Sequence, residues 1–371
     1  MRDCEGSIWW RVENNIEQQL TDYLRLAVNE HASDLFLIPG AKPRLKQNGA
    51  LRPLSDQTID PTQTKQMIEA IYRLGNHRDM DALLRTGDDD FSFSMPHVGR
   101  FRCNAYRQRG SLAAVLRVVP FGLPDAGQMG IPESVLQLAN IRHGLVLVTG
   151  TAGSGKSTTL ACIIDRINRS FADHIVTIED PIEFLYPHQN SIVSQREIPH
   201  DSLSFANALR ASLRQAPDVI LLGEMRDYET IQTAITAAET GHLLLSTLHT
   251  LGASKTIDRM IDVFPAQQQQ QVRVQLSMVL RAVVSQQLVP TVSGELVPAF
   301  EVMIVNRAIA NLIREGKVQQ MDNAIVAGQA EGMCTMDADL MRLYRAGRIT
   351  AQTAKQYAIH VDQMERRLPG I

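Results

Sequence analysis

The chain has 371 residues, 44% of them hydrophobic and 21% charged, a composition typical of soluble globular proteins at a length that exceeds one ordinary domain. Its formal net charge of −3 gives no global attraction to nucleic acid or anionic lipid, so such a contact would need a local patch. The apolar stretches fall far short of a membrane span, and Asp3 and Glu5 stand where a signal peptide needs basic residues, so a cytosolic location is expected.

In chain order, residues 16–29 carry helical periodicity, 34–38 read as a strand, Asn48-Gly49 as a hairpin turn and 62–74 as a helix. Residues 91–94 alternate apolar and polar, and 100–106 and 113–119 read as further strands. Residues 1–120 are thus expected to form a small α+β domain. The stretch 119–127 combines two prolines with two glycines, which marks 121–128 as a linker. Over 129–371 the pattern changes. Short apolar strands at 145–148, 175–178, 219–222 and 243–246 alternate with helical segments, as in a parallel sheet buried on both faces, and the expected class is α/β. Beyond Phe264-Pro265 the chain reads as mostly helical, with a strand pair near 287–289 and 299–302.

Between the first of these strands and a helix-favouring stretch lies Gly150-Thr151-Ala152-Gly153-Ser154-Gly155-Lys156-Ser157-Thr158, which fits G-x-x-x-x-G-K-[ST]. Glycines let successive backbone N–H groups turn around a phosphate chain, and the following helix offers its positive end. Lys156 adds a mobile charge and Ser157 a hydroxyl for Mg²⁺, so ATP with Mg²⁺ is the expected ligand pair. The four cysteines, Cys4, Cys103, Cys162 and Cys334, contain no C-x-x-C pair, and the ten histidines form no H-E-x-x-H, which argues against zinc.

A phosphate loop needs a carboxylate near its metal and another to polarise water. Residues 219–222 are apolar and lead to Glu224, in the form of a Walker B strand. A second strand ends in Glu179, Asp180 and Glu183, and spacing alone does not choose the base among them. His242 and His249 bracket the strand at 243–246, and His249 follows its carboxyl end, where open α/β sheets bind ligands. Arg100, Arg102, Arg107, Arg109 and Arg117 cluster in the first domain. Phosphate-reaching fingers, a nucleic-acid patch with Phe101 and Tyr106, and a solvated strand face are all consistent with that cluster.

The succession GTAGSGKST, IVTIEDPIEF, SLRQAPDVILLGEMRD, TGHLLLSTLHT and SKTIDRMIDVFP, within residues 20–358, closely resembles the PilT family, the retraction ATPases of type IV pili within the type II/IV secretion ATPases. The resemblance implies a PAS-like N-terminal domain and a RecA-like P-loop ATPase domain with a helical C-terminal region. It also implies a ring-shaped homohexamer that works with an inner-membrane platform protein and the pilus machinery. By position it makes Lys156 and Ser157 the Walker A residues, Glu224 the Walker B acid and Glu183 the general base. His242 and His249 become the histidine box, and Arg102, Arg109 and Arg117 the finger candidates. The absence of a C-x-x-C insert favours retraction over assembly or secretion. Residues 308–317 resemble AIRNLIREGK with Ala310 in place of arginine. Ile309, Leu312 and Ile313 are expected to form its apolar stripe, with Arg314, Glu315 and Lys317 towards solvent.

Overall fold

The structure is a computed structural model describing residues 5–47, 49–75, 77–119 and 122–368, with backbone alone over 5–15. The chain divides into two compact units. One runs to Gly122 and takes in Glu183–Leu185, and the other comprises Leu123–Ile182 and Tyr186–Ile371. Residues 123–128, which read as linker by composition, group with the second unit. Asn48 of the expected turn and Pro120 and Phe121 of the expected linker lie outside the described residues.

Among the described residues of the first unit, β1 (Asp34–Leu37), β2 (Arg44–Gln47), β3 (Ala50–Pro53), β4 (Asp88–Met95), β5 (Gly99–Gln108) and β6 (Ser111–Val119) form an antiparallel sheet in the order β3-β2-β1-β6-β5-β4. Alternation along the strands sends Leu35, Leu37, Phe91, Phe101 and Leu116 to one face, where they are buried with side chains of the helices Glu5–Asn29 and Pro61–Leu74. The second of those helices starts at a capping box. Asp60 accepts from the N–H groups of Thr62 and Gln63, and the Gln63 side chain accepts from the Asp60 N–H. Strand pairing aligns Lys46, Asp34, Arg117 and Arg102 in one row, so these side chains share the opposite face.

The second unit is built on a sheet of β7 (Gly144–Thr149), β8 (His174–Glu179), β9 (Ile192–Glu197), β10 (Val219–Leu222), β11 (Leu243–Leu248), β12 (Leu280–Pro290) and β13 (Leu296–Ile304). Their order is β13-β12-β7-β11-β10-β8-β9. Every pairing from β12 through β9 is parallel, and β13 joins as an antiparallel hairpin. Strands β7, β10 and β11 are buried along their whole length, as continuous apolar strands covered on both faces must be. The expected pair near 287–289 and 299–302 is the middle of a longer hairpin. Edge strand β9 has the polar sequence Ile192-Val193-Ser194-Gln195-Arg196-Glu197, which carries no clear period and left no strand signal.

Buried carboxylates tie the C-terminal helices to this sheet. Glu301 on β13 accepts from Ala253 N at 2.7 Å and Met336 N at 3.3 Å, the first turns of two helices. Burial pushes its carboxyl pKa up, and the two N–H donors oppose that shift. Asp339 accepts from Phe300 N at 2.9 Å, and Asp337 accepts from Ile359 N and His360 N at 2.7 and 3.0 Å. In the helix Arg307–Glu315, Ile309 and Ile313 are buried, Leu312 is partly buried and Arg314 is exposed. Gly316, in the left-handed region, ends it, so Lys317 lies beyond the helix and pairs with Glu315 at 2.6 Å.

Candidate functional site

Because β7, β11, β10 and β8 run parallel, their carboxyl ends share one edge of the sheet, and the chemistry-bearing residues collect there. The phosphate-loop sequence joins β7 to the helix Lys156–Ser170. Gly150, Gly153 and Gly155 have φ of 146°, 76° and 87°, a region that side chains rarely tolerate. Space demands glycine at Gly150 as well, and is tight at Gly155. A Cβ on Gly150 would stand 2.3 Å from the Gln286 carbonyl oxygen, and one on Gly155 2.9 Å from Gln286 Nε2.

The helix begins at Gly155 without a side-chain cap, so its first N–H groups are open to a ligand. Lys156 is only 8% exposed, and its ammonium donates to the carbonyls of Gly150 at 2.9 Å and Thr151 at 2.8 Å. Ser154 Oγ is buried with no hydrogen-bond partner among the described residues. Thr151, Ala152 and Gly153 are exposed, and Ser157 and Thr158 are half-buried in the first helical turn. Open N–H donors, one ammonium and an unpaired hydroxyl around a concave backbone fit an acceptor-only polyanion such as the phosphate chain of ATP. The Ser157 hydroxyl beside that cradle fits a hard cation such as Mg²⁺, which takes oxygen ligands.

Glu224 follows β10, two strands from β7 and so about 10 Å away at the usual strand spacing. Its side chain is 12% exposed and bound from two sides, by Arg226 at 2.6 Å and by His249 Nε2 at 3.1 Å. The backbone reinforces this arrangement. Thr247 Oγ1 donates to Gly223 O at 2.7 Å, and Met225 N donates to Thr247 O at 3.1 Å. His242 lies elsewhere: it precedes β11, at the amino edge of the sheet, where Nδ1 meets Thr240 Oγ1 and Ala237 O, each at 3.1 Å. The two histidines bracket one strand, and the strand's length separates them.

Glu179 closes β8 and is 8% exposed, accepting from Thr177 Oγ1 at 2.6 Å and Gln195 Nε2 at 3.3 Å. Asp180-Pro181, whose residue types favour a helix start, opens no helix; the peptide bond is cis and the chain is irregular until β9. Glu183 lies in that irregular stretch and is exposed.

In the first unit, Arg102 on β5 lies directly across from Arg117 on β6, and Arg117 from Asp34 on β1. Arg117 Nε donates to the buried Asp34 Oδ1 at 3.1 Å. A concavity of about 220 Å³ is lined by Asp34, Asp90, Arg102, Asn104, Val115 and Arg117. Like charges directly across a strand pair repel, and here Asp34, bonded to Arg117, and Asp90 in the same concavity offset that repulsion. Arg109 does not join them. With φ of 47° next to Gly110 at 79°, it forms the tip of the β5–β6 hairpin, some 20 Å along the strand from Arg102 at about 3.3 Å per residue.

Two residues of this neighbourhood carry no motif assignment from the sequence. Arg226 holds Glu224 and stands inside the quoted GEMRD segment. Gln286 contacts the phosphate loop, and its only trace in the sequence is the polar Ser285-Gln286-Gln287 interrupting an otherwise apolar strand. Of the cysteines, Cys103, Cys162 and Cys334 have thiol pKa values raised chiefly by burial, those of Cys162 and Cys334 to about 11, so none offers a thiolate near neutrality.

The family model described as Type II/IV secretion system protein matches residues 11–364. The chain is 45% identical over 342 residues to the type IV pilus retractation ATPase PilT of Pseudomonas aeruginosa, covering 91% of this chain and 98% of that one. It is 40% identical over 371 residues to a twitching motility protein of Neisseria gonorrhoeae, covering 98% of each. Among solved structures, the pilus retraction motor PilT with bound ADP superposes with a TM-score of 0.83 at 45% identity, over 92% of this chain and 97% of that one.

Proposed function

Since the chain belongs to the PilT family of type IV pilus retraction ATPases, within the type II/IV secretion system proteins, we propose that it hydrolyses Mg-ATP as a homohexameric motor and withdraws pilus fibres. One observation carries the proposal: a buried lysine and three positive-φ glycines at the carboxyl edge of a parallel sheet that also bears Glu224. The near full-length identity to a retraction ATPase and a twitching motility protein supports the pilus as the load.

Residues Gly150 to Thr158 would hold the phosphates through backbone N–H groups, with Lys156 moving its ammonium from the loop carbonyls onto them. Ser157 would bind Mg²⁺ directly and Glu224 through water, in the orientation that Arg226 and His249 impose on it. The ion, once bound, supplies charge stabilisation at the transferring phosphoryl group. Glu183 takes the proton of the attacking water, and Arg102 and Arg117 neutralise phosphate charge. His249, bonded to Glu224, is placed to sense what that carboxylate binds. His242 takes no part in that chemistry in this arrangement, since it stands at the amino end of β11, the strand's length from His249, while Arg109, at the tip of the β5–β6 hairpin, is a finger candidate separate from Arg102 and Arg117.

No helix among the described residues is long and apolar enough to cross a membrane. The family membership supports attachment at the cytoplasmic face of the inner membrane through protein contacts, with the pilus platform protein as the expected partner. Imaging a deletion strain tests the direction of movement. Excess surface pili are the expected result, and a strain without pili would assign the same engine to assembly.

The arginine face gives a separate prediction. Arg102 is exposed on its strand, so Arg102→Ala leaves the fold intact while ATP turnover drops about 10³-fold, the effect of losing a finger. Arg117 is tested as lysine, which keeps a charge beside the buried Asp34. Wild-type turnover in the pair of variants, or stimulation of turnover by DNA or RNA, would instead make this face a solvated surface or a nucleic-acid patch.

A further inference from the structure

Gln286 is a buried polar residue, 3% exposed, on a strand whose neighbours Val283, Val284 and Val289 are fully buried valines. Strand pairing sets Ser285 across from Thr149, which brings Gln286 level with the start of the phosphate loop. It meets the loop at two points and the helix after it at a third. Its Oε1 accepts a 2.7 Å hydrogen bond from Thr159 Oγ1 in the first turn of the following helix. Its Nε2 stands 2.9 Å from where a Gly155 Cβ would be, and its carbonyl oxygen 2.3 Å from a Gly150 Cβ. One residue thus abuts both glycines that bound the loop and is bonded to the helix that follows.

We propose that Gln286 is a positioning residue for nucleotide binding, forming the floor on which the phosphate loop keeps its binding shape. The proposal rests on the nucleotide assignment above. A loop of glycines has wide conformational freedom, and a ligand's apparent affinity falls in proportion to the fraction of molecules in the competent shape. The Lys156 ammonium cross-links the loop through the Gly150 and Thr151 carbonyls, and those bonds are given up when the ammonium moves onto phosphate. An amide wedged beneath the loop, with its oxygen fixed by Thr159, constrains it from outside. Ser285, the preceding residue, accepts from Gly252 N at 2.9 Å on the other side of the strand. The same stretch of β12 therefore also holds the segment that follows His249.

The test is a double-mutant cycle on the full-length protein, reading the affinity of a fluorescent Mg-ADP analogue, the KM and kcat for ATP, and the melting temperature. Gln286→Met keeps side-chain length but removes the acceptor, and Thr159→Val keeps shape but removes the hydroxyl. Each is expected to weaken ADP binding about tenfold and to raise KM in step, with kcat nearly unchanged. The double variant should bind no more weakly than either single one, because the two changes remove the same bond. A drop in melting temperature with wild-type ADP affinity in both single variants would make Gln286 a packing residue and overturn the proposal. Additive losses in the double variant would do so too. Should Gln286→Met fail to fold, Thr159→Val decides alone, since it deletes one oxygen. Failure of the wild-type protein to bind ADP would instead overturn the nucleotide assignment, and this inference with it.

Discussion

Lys156→Ala is expected to remain folded, to lose measurable affinity for Mg-ATP, and to show ATP turnover at background. The lysine is buried, and its ammonium donates to two carbonyls of its own loop. What the substitution removes is the cation that the loop offers to phosphate. Charge-assisted hydrogen bonds of this kind are worth about 1.5–3 kcal/mol each, so losing two or more costs roughly 10²-fold or more in affinity. Calorimetric titration with Mg-ATP checks the result. Undiminished affinity in a folded variant would mean that these residues do not form a nucleotide site.

Glu183→Gln should separate binding from chemistry. The variant keeps the size and exposure of the side chain but cannot take a proton, so Mg-ATP affinity persists while hydrolysis falls about 10²-fold or more. The structure sharpens the comparison with Glu179. Glu179 is buried and accepts from Thr177 Oγ1 and Gln195 Nε2, so its carboxylate is engaged in the sheet. In Glu179→Gln an amide N–H₂ would replace one acceptor oxygen. That change should lower the melting temperature and affect turnover less than Glu183→Gln does. Steady-state ATPase assays on both variants, with melting curves alongside, decide between them. Normal hydrolysis in Glu183→Gln with none in Glu179→Gln would transfer the base to Glu179.

Residues close together in sequence determined the local parts of this protein. The phosphate loop was legible because its chemistry is contiguous: glycines for positive φ, a lysine and a hydroxyl at one fixed spacing, a strand before and a helix after. The buried strands were legible for a similar reason, since an unbroken apolar run of strand length has to be covered on both faces. Alternation likewise placed β4, where Phe91 and Phe93 are buried and Ser92 and Ser94 between and beyond them are not. It missed β9, an edge strand in which Ile192-Val193 is followed by four polar residues.

Tertiary structure decided what strand order and register bring together. The contact of Glu224 with His249 required β10 and β11 to be neighbours, and the hydrogen bond from Thr159 to Gln286 spans 127 residues of chain. Only pairing of β5 with β6 sets Arg102 across from Arg117, and it also carries Arg109 away to the hairpin tip. His242 and His249 resemble a pair in sequence, yet an extended strand between them puts them at opposite edges of the sheet. Register and strand order come from burying apolar surface over the whole unit, and no short window contains that information. The loop's chemistry was therefore written locally, and the company it keeps was chosen by the packing of distant strands.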